Sequence, residues 1–153
     1  MWADIDYLDA YKTFTISPAY SKLKDYVTTI KQEGIKFVPI LDPGVAVVSD
    51  PSTYSAFKTG LEQDVFIKSS DMVHPLIGNA WPGKAVFPDW TKANTTKWWH
   101  SMLDYLYNTL EIQFDGIWLD ENEVTNDCNG YCDNSQRPLV DSKNYPIYVP
   151  GQR

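Results

Sequence analysis

Hydrophobic positions along the chain alternate between two periods. Two short apolar runs, Ile35-Lys36-Phe37-Val38-Pro39-Ile40-Leu41-Asp42 and Phe114-Asp115-Gly116-Ile117-Trp118-Leu119-Asp120, suit buried strands. Pro39 cannot donate to a ladder, which predicts an edge or bulge there. Ahead of each run, apolar residues recur every three or four positions. Leu23, Tyr26, Val27 and Ile30 predict one helix; Trp98, Trp99, Met102, Leu103, Leu106 and Leu110 predict another. Ser17-Pro18 reads as the first helix's N-cap followed by proline in its first turn, and Gly34 as its C-terminal glycine. Asn94-Thr95-Thr96 offers a cap for the second. The opening residues through Asp6 read as the end of a further strand.

Strand, helix, strand, helix, strand implies a parallel sheet with right-handed crossovers. Residues 43–90 interrupt the alternation. They hold Pro51, Pro75, Pro82 and Pro88 and one strand-like piece, Asp64-Val65-Phe66-Ile67-Lys68, and read as a loop-rich insertion. From Asn126 to Arg153 the chain is turn chemistry, with Asn129-Gly130, Pro138, Pro146 and Pro150-Gly151. A closed eight-fold barrel needs about 250 residues. The 153 residues supply about three of its strands. The expected fold is therefore an α/β, partial (β/α)8 barrel, residues 1–153 forming one fragment with 43–90 as an insertion subdomain.

Composition narrows the partners. Thirteen Lys plus Arg against 20 Asp plus Glu give a net charge of -7, the opposite of a nucleic-acid or anionic-membrane footprint. No run of about 18 apolar residues predicts a membrane span. The N-terminus has no basic segment followed by an apolar core, so no secretory signal is expected in it. Cys128 and Cys132 are the only cysteines; two thiols cannot complete a four-ligand zinc site, leaving a small loop disulfide or two free thiols. Aromatic residues make up 14% of the chain. Such rings serve core packing, and they also serve as platforms for the apolar faces of sugars.

Each expected strand ends in acids: Asp4 and Asp6, then Asp42, then Asp120. In parallel α/β folds ligands bind at the carboxyl ends of strands, so the three ends converge on one rim. The densest group is Asp120-Glu121-Asn122-Glu123, which reads either as a solvated turn or as a site. Gly116, read as allowing close backbone approach, and Trp118, a flat apolar wall, favour a site. Asp120, Glu123 and Asp127 could offer oxygen ligands to a divalent cation, but their spacing does not fit a calcium loop. Sugar chemistry is the alternative, one carboxylate attacking an anomeric carbon while another protonates the leaving oxygen. On the first strand Asp4 and Asp6 would share a face, where a carboxylate can bond sugar hydroxyls, or Asp6 could cap a turn. His74 and His100 read as surface residues. No phosphate loop and no Ser or Cys nucleophile motif occurs.

Several segments resemble glycoside hydrolase family 31, most nearly its lysosomal and intestinal maltase-like α-glucosidases. Trp2-Ala3-Asp4-Ile5-Asp6-Tyr7-Leu8 with Phe14-Thr15 is similar to the family's W-x-D-I-D-Y-M…D-F-T, and Lys36 to Pro43 to its third barrel strand. Gly60 to Lys68, with Asp64-Val65-Phe66-Ile67-Lys68, then Trp81-Pro82-Gly83 and Phe87-Pro88-Asp89-Trp90 follow in order. Asp115 to Glu123 resembles the signature D-G-x-W-x-D-M-N-E, and Tyr148-Val149-Pro150-Gly151 a later stretch. The resemblance implies barrel strands 2–4 with the insertion between strands 3 and 4. It also implies retaining exo-hydrolysis of terminal α-linked glucose in a disaccharide or oligosaccharide, without cofactor or metal. Asp120 would be the nucleophile and Glu123 its support. Asp4 would bind glucose hydroxyls, and Ile5, Ile40, Trp81, Trp118 and Glu121 would line the subsite.

Two departures stand out. Glu121 replaces the usual Met beside the nucleophile, and Asp127 replaces a Phe. In family members the general acid/base Asp, with an Arg and a His of the glucose site, lies beyond the position of Arg153. The remainder of the polypeptide would therefore be needed to complete the barrel, and the chain by itself would be inactive. A catalytically dead, carbohydrate-binding remnant is the competing expectation; α-xyloside cleavage and glucan lyase chemistry share the signature. The relatives suggest delivery through the secretory route.

Overall fold

The computed structural model describes residues 1–123 and 126. Its elements run β1 (Trp2–Ala3), α1 (Leu23–Gln32), β2 (Val38–Leu41), β3 (Val45–Ala46), α2 (Ser55–Glu62), β4 (Gly78–Ala80), β5 (Gly83–Val86), α3 (Ala93–Asp104) and β6 (Trp118–Leu119). The strand order β1-β2-β6 is parallel throughout, as the alternation predicts. Trp2 lies beside Val38, and Ile40 beside Trp118. Pro39, the residue expected at an edge, occupies the central strand, where β2 is only four residues long. No barrel closes among the described residues. The arrangement is a sector of one.

α1 buries Leu23, Val27 and Ile30, an i, i+4, i+7 stripe, while Tyr26 falls outside the stripe and stays 47% exposed. Its start differs from the sequence expectation. Ser17 and Pro18 open a separate 3-10 turn (Pro18–Tyr20), and α1 begins only at Leu23, with no side-chain cap. Its end follows expectation. Gly34 has φ +79°, the Ile35 N–H donates to the Ile30 carbonyl (3.0 Å), and the Gly34 N–H to that of Lys31 (3.0 Å). This pair of bonds is the glycine-terminated stop that satisfies orphan carbonyls.

Asp115 fixes the approach to β6. Its carboxylate accepts the Phe37 N–H (3.0 Å) and faces Lys36 (3.3 Å) and Lys31 (3.5 Å), while its own N–H donates to the Phe37 carbonyl (2.8 Å). The backbone bond first, then the lysines, hold that carboxyl below its ordinary range. Gly116 is less constrained than the sequence suggested. A Cβ there would meet Val38 at 3.5 Å, an ordinary contact, so close approach is not what requires glycine.

The insertion is more regular than its composition implied. β3, β5 and β4 form an antiparallel sheet in that order, and α2 packs Ala56, Phe57 and Gly60 inward. A Cβ on Gly60 would stand 2.3 Å from the Phe66 ring, so glycine is what lets α2 approach. The strand expected at 64–68 is reduced to isolated bridges, Phe66 to Pro88 and Lys68 to Pro75. Aromatic packing joins the insertion to the sheet's flank. Trp98 is fully buried among Phe14, Phe66 and Trp99, at ring distances of 6.4, 5.9 and 5.9 Å. The expected Asn94-Thr95-Thr96 cap lies instead inside α3. Thr95 is buried, its hydroxyl donating to the Asp89 carbonyl (2.6 Å), and Asp89 accepts the Thr91 N–H (3.0 Å). After Asp104 the helix widens into a π turn (Tyr105–Thr109) that carries the apolar stripe to Leu106.

Candidate active site

The parallel register sets the acids. Continued one step past each strand, the register sets Asp42 beside Asp120 and Asp4 level with Ile40, two residues earlier, all three at even positions of the pleat. Three carboxylates therefore come off neighbouring strand ends. Asp42 is 7% exposed and one of its carboxyl oxygens has no hydrogen-bond partner among the described residues. Burial, then the charges of Glu121, Asp120 and Asp4, raises its carboxyl to about 7. Asp42 was visible in the sequence as a strand-end acid, yet nothing local marked it as the buried centre of the group. The Tyr7 hydroxyl lies beneath, donating to the Ile40 carbonyl (2.7 Å); burial first and the Asp42 charge second push its pKa upward.

The first acidic cluster differs from the strand expected for it. β1 ends at Ala3, and Ile5–Tyr7 form a 3-10 turn capped by Asp4, whose carboxylate accepts the Ile5 N–H at 2.7 Å. Asp4 and Asp6 thus do not share a strand face, and Asp4 rather than Asp6 is the cap. A carboxylate receiving one backbone bond keeps lone pairs for a ligand. Ile5 is half-buried against the core.

Trp81 and Glu121 join Asp42 in one cleft, completed by Pro43, Gly44, Ala80, Pro82 and Phe87. Glu121 has φ 56°, in the left-handed region, and turns the chain immediately after Asp120. Asp120 and Glu123 are solvent-exposed, and the Asn122 side-chain amide donates to the Asp120 carbonyl (3.1 Å). The Asn126 side chain accepts the Asn79 N–H (2.9 Å), tying the acidic turn to β4. Sequence reading missed this tie, for which an isolated Asn gives no signal. Ile40 and Trp118 do not border the cleft. Ile40 is buried in the sheet, and Trp118 packs edge-on against Trp2 at 6.1 Å. Asp127, Cys128 and Cys132 lie outside the described residues.

A buried acid with a raised pKa favours folding while protonated. The folded state binds the Asp42 proton more tightly than the unfolded chain, whose aspartate titrates near 3.9. Its contribution is therefore complete below about pH 4 and is lost as pH rises through about 7. Asp42→Asn should consequently melt higher than the parent at pH 8 and nearly level with it at pH 4, by thermal denaturation. Equal differences at both pH values would contradict the assignment.

Comparison with known proteins decides the family. Residues 1–147 match the family model "Glycosyl hydrolases family 31 TIM-barrel domain". The chain belongs to glycoside hydrolase family 31. It is 36% identical over 152 residues to intestinal sucrase-isomaltase of Oryctolagus cuniculus, covering 97% of this chain and 8% of that protein. To lysosomal alpha-glucosidase of Mus musculus it is 35% identical over 152 residues, covering 98% and 15% respectively. The family 31 α-glucosidase of Bacteroides thetaiotaomicron superposes with a TM-score of 0.66 at 32% identity, over 86% of this chain and 21% of that one. The DNJ-bound glucosidase II alpha subunit superposes with a TM-score of 0.71 at 24% identity, over 82% and 13%, a likeness of fold. The family 31 chain thus spans a small part of its relatives' length, and its strands are a sector of their barrel. Among the described residues no helix is long and apolar enough to cross a membrane.

Proposed function

We propose that this chain carries the nucleophile half of a retaining α-glucosidase site, acting on terminal α-linked glucose within a longer polypeptide. The convergence of Asp4, Asp120 and Glu121 on Asp42 is the observation that supports it. Asp120, exposed at the strand end, attacks the anomeric carbon, and its charge stabilises the oxocarbenium-like transition state. Glu123 supports the acidic turn. Asp4 accepts sugar hydroxyls, while Asp42, about half protonated at neutral pH, donates to one hydroxyl or accepts from another. Trp81 and Glu121 wall the glucose from the cleft, with Ile5 beside Asp4, while Ile40 and Trp118, which do not border the cleft, support the sheet from which the acids project. Residues 43–90 act as an insertion that brings Trp81 to the rim.

By the family resemblance, the carboxyl that protonates the leaving group lies beyond the position of Arg153, and the acids described here take the other roles. The 153 residues by themselves are therefore expected to show no turnover. The decisive experiment is a covalent trap on the intact protein with an activated 5-fluoro-α-glucosyl fluoride, followed by peptide mass spectrometry. The glycosyl adduct should sit on Asp120. An adduct on another residue, or none, would contradict the assignment, and absence of both adduct and hydrolysis would favour the dead, sugar-binding remnant.

A further inference from the structure

Tyr11 takes no part in the site described above, yet its ring leans on Trp81. The centroids are 6.2 Å apart and the planes are inclined at 58°. Both rings still face water, Tyr11 at 42% exposure and Trp81 at 55%. Large aromatic surfaces left open side by side mark a place where a ligand removes them from solvent.

The backbone holds Tyr11 in that position at a cost. Ala10 and Tyr11 have φ values of 48° and 59°, a left-handed conformation that non-glycine residues disfavour. The surrounding loop is tied across itself. The Asp9 N–H donates to the Thr15 hydroxyl (2.9 Å), which donates to the Lys12 carbonyl (2.5 Å). The Lys12 N–H returns to the Asp9 carbonyl (3.0 Å), and their side chains form an ion pair at 2.7 Å. Strain retained in a cross-braced loop points to a functional placement of the side chain it presents.

Trp81 touches both Tyr11 and the cleft that holds Asp42 and Glu121. We propose that Tyr11 is the stacking platform for the second sugar of an α-linked oligosaccharide, the unit adjoining the glucose held by Trp81 and the acids. The proposal rests on the α-glucosidase reading. A pyranose presents an apolar C–H face to an aromatic ring and hydroxyls at its rim. The inclination between the two rings suits consecutive α-linked units, whose ring planes turn relative to each other. The acids beside the platform repel an anionic occupant and accept the hydroxyls of a neutral one.

Binding tests this without requiring turnover. Glucose and maltotriose are titrated into the intact protein, with calorimetry and tryptophan fluorescence as readouts. Tyr11→Ala should weaken maltotriose about five- to tenfold, the scale of a lost aromatic contact, and leave glucose within about twofold. Tyr11→Phe, which keeps the ring face, should bind both sugars as the parent does. Equal weakening of glucose and maltotriose by Tyr11→Ala would mean that Tyr11 merely props Trp81, and would overturn the proposal. So would unchanged maltotriose binding, or a loss in Tyr11→Phe as large as in Tyr11→Ala. Absence of any sugar binding by the parent protein would instead remove the glucosidase reading, and the platform with it.

Discussion

Asp120→Asn in the intact protein should reduce hydrolysis of an α-glucoside by about 10⁴-fold or more, the scale on which enzymes lose rate when a covalent nucleophile is removed. The amide keeps the size of the carboxylate and loses both its nucleophilic lone pair and its charge. Folding should be nearly unchanged, within about 0.5 kcal/mol, because Asp120 is exposed and the bond from Asn122 goes to its backbone carbonyl. That separates chemistry from structure in one variant: activity falls while the melting temperature stays. Glu121→Gln is the control. It removes one negative charge from the same turn and, on the proposed roles, should cost far less in rate. It should also lower the Asp42 pKa, because Glu121 is the foremost charge holding that carboxyl up. Residual activity of Asp120→Asn within tenfold of the parent, or an equal loss in Glu121→Gln, would refute the nucleophile assignment.

The sheet and its flanking helices were legible because burial has a period. Leu23, Val27 and Ile30 on α1, and Trp98 and Met102 on α3 with Leu106 in the π turn that follows, repeat with the turn of the helix. β2, buried on both faces at Ile40 and Leu41, leaves the apolar run before Asp42, whereas the run before Asp120 is apolar although Leu119 stays 57% exposed. The insertion was opaque for a converse reason. β4 and β5 are built from Gly, Asn, Ala, Lys and a single Val, residues of mostly low strand preference, and pairing across the sheet decides their conformation. Asp4-Ile5-Asp6 alternates like a strand, but the bond from the Ile5 N–H to the Asp4 carboxylate turns the chain first. The candidate site was legible as types of residue and less so as states. An acid at a strand end is visible in sequence. That Asp42 is buried, with one oxygen unpartnered and its pKa near 7, depends on Trp81 and Phe87 arriving from about forty residues away.

Trp98→Ala is expected to have the largest effect on stability, a loss of about 3–5 kcal/mol. The indole is fully buried, and its removal opens a void between Phe14, Phe66 and Trp99 that rigid neighbouring rings cannot refill. Its N–H also donates to the Thr59 hydroxyl at 3.0 Å, fastening α3 to α2. That hydroxyl keeps a second bond, to the Ser55 carbonyl (2.8 Å), so the packing loss outweighs the polar one. Trp98→Phe should therefore recover more than half of the lost stability although it lacks the donor. Thermal melting of the intact protein should show a fall of about 10 °C for Ala and a smaller one for Phe. A decrease of under 2 °C for Ala would mean that the aromatic cluster is not the joint between insertion and sheet. The consequence reaches the cleft. Phe14 continues the braced loop that presents Tyr11, and Phe66 lies on the insertion that presents Trp81, so Trp98 is the contact common to both walls. Loosening it should weaken maltotriose binding in parallel with stability, whereas Tyr11→Ala weakens binding with the melting temperature held.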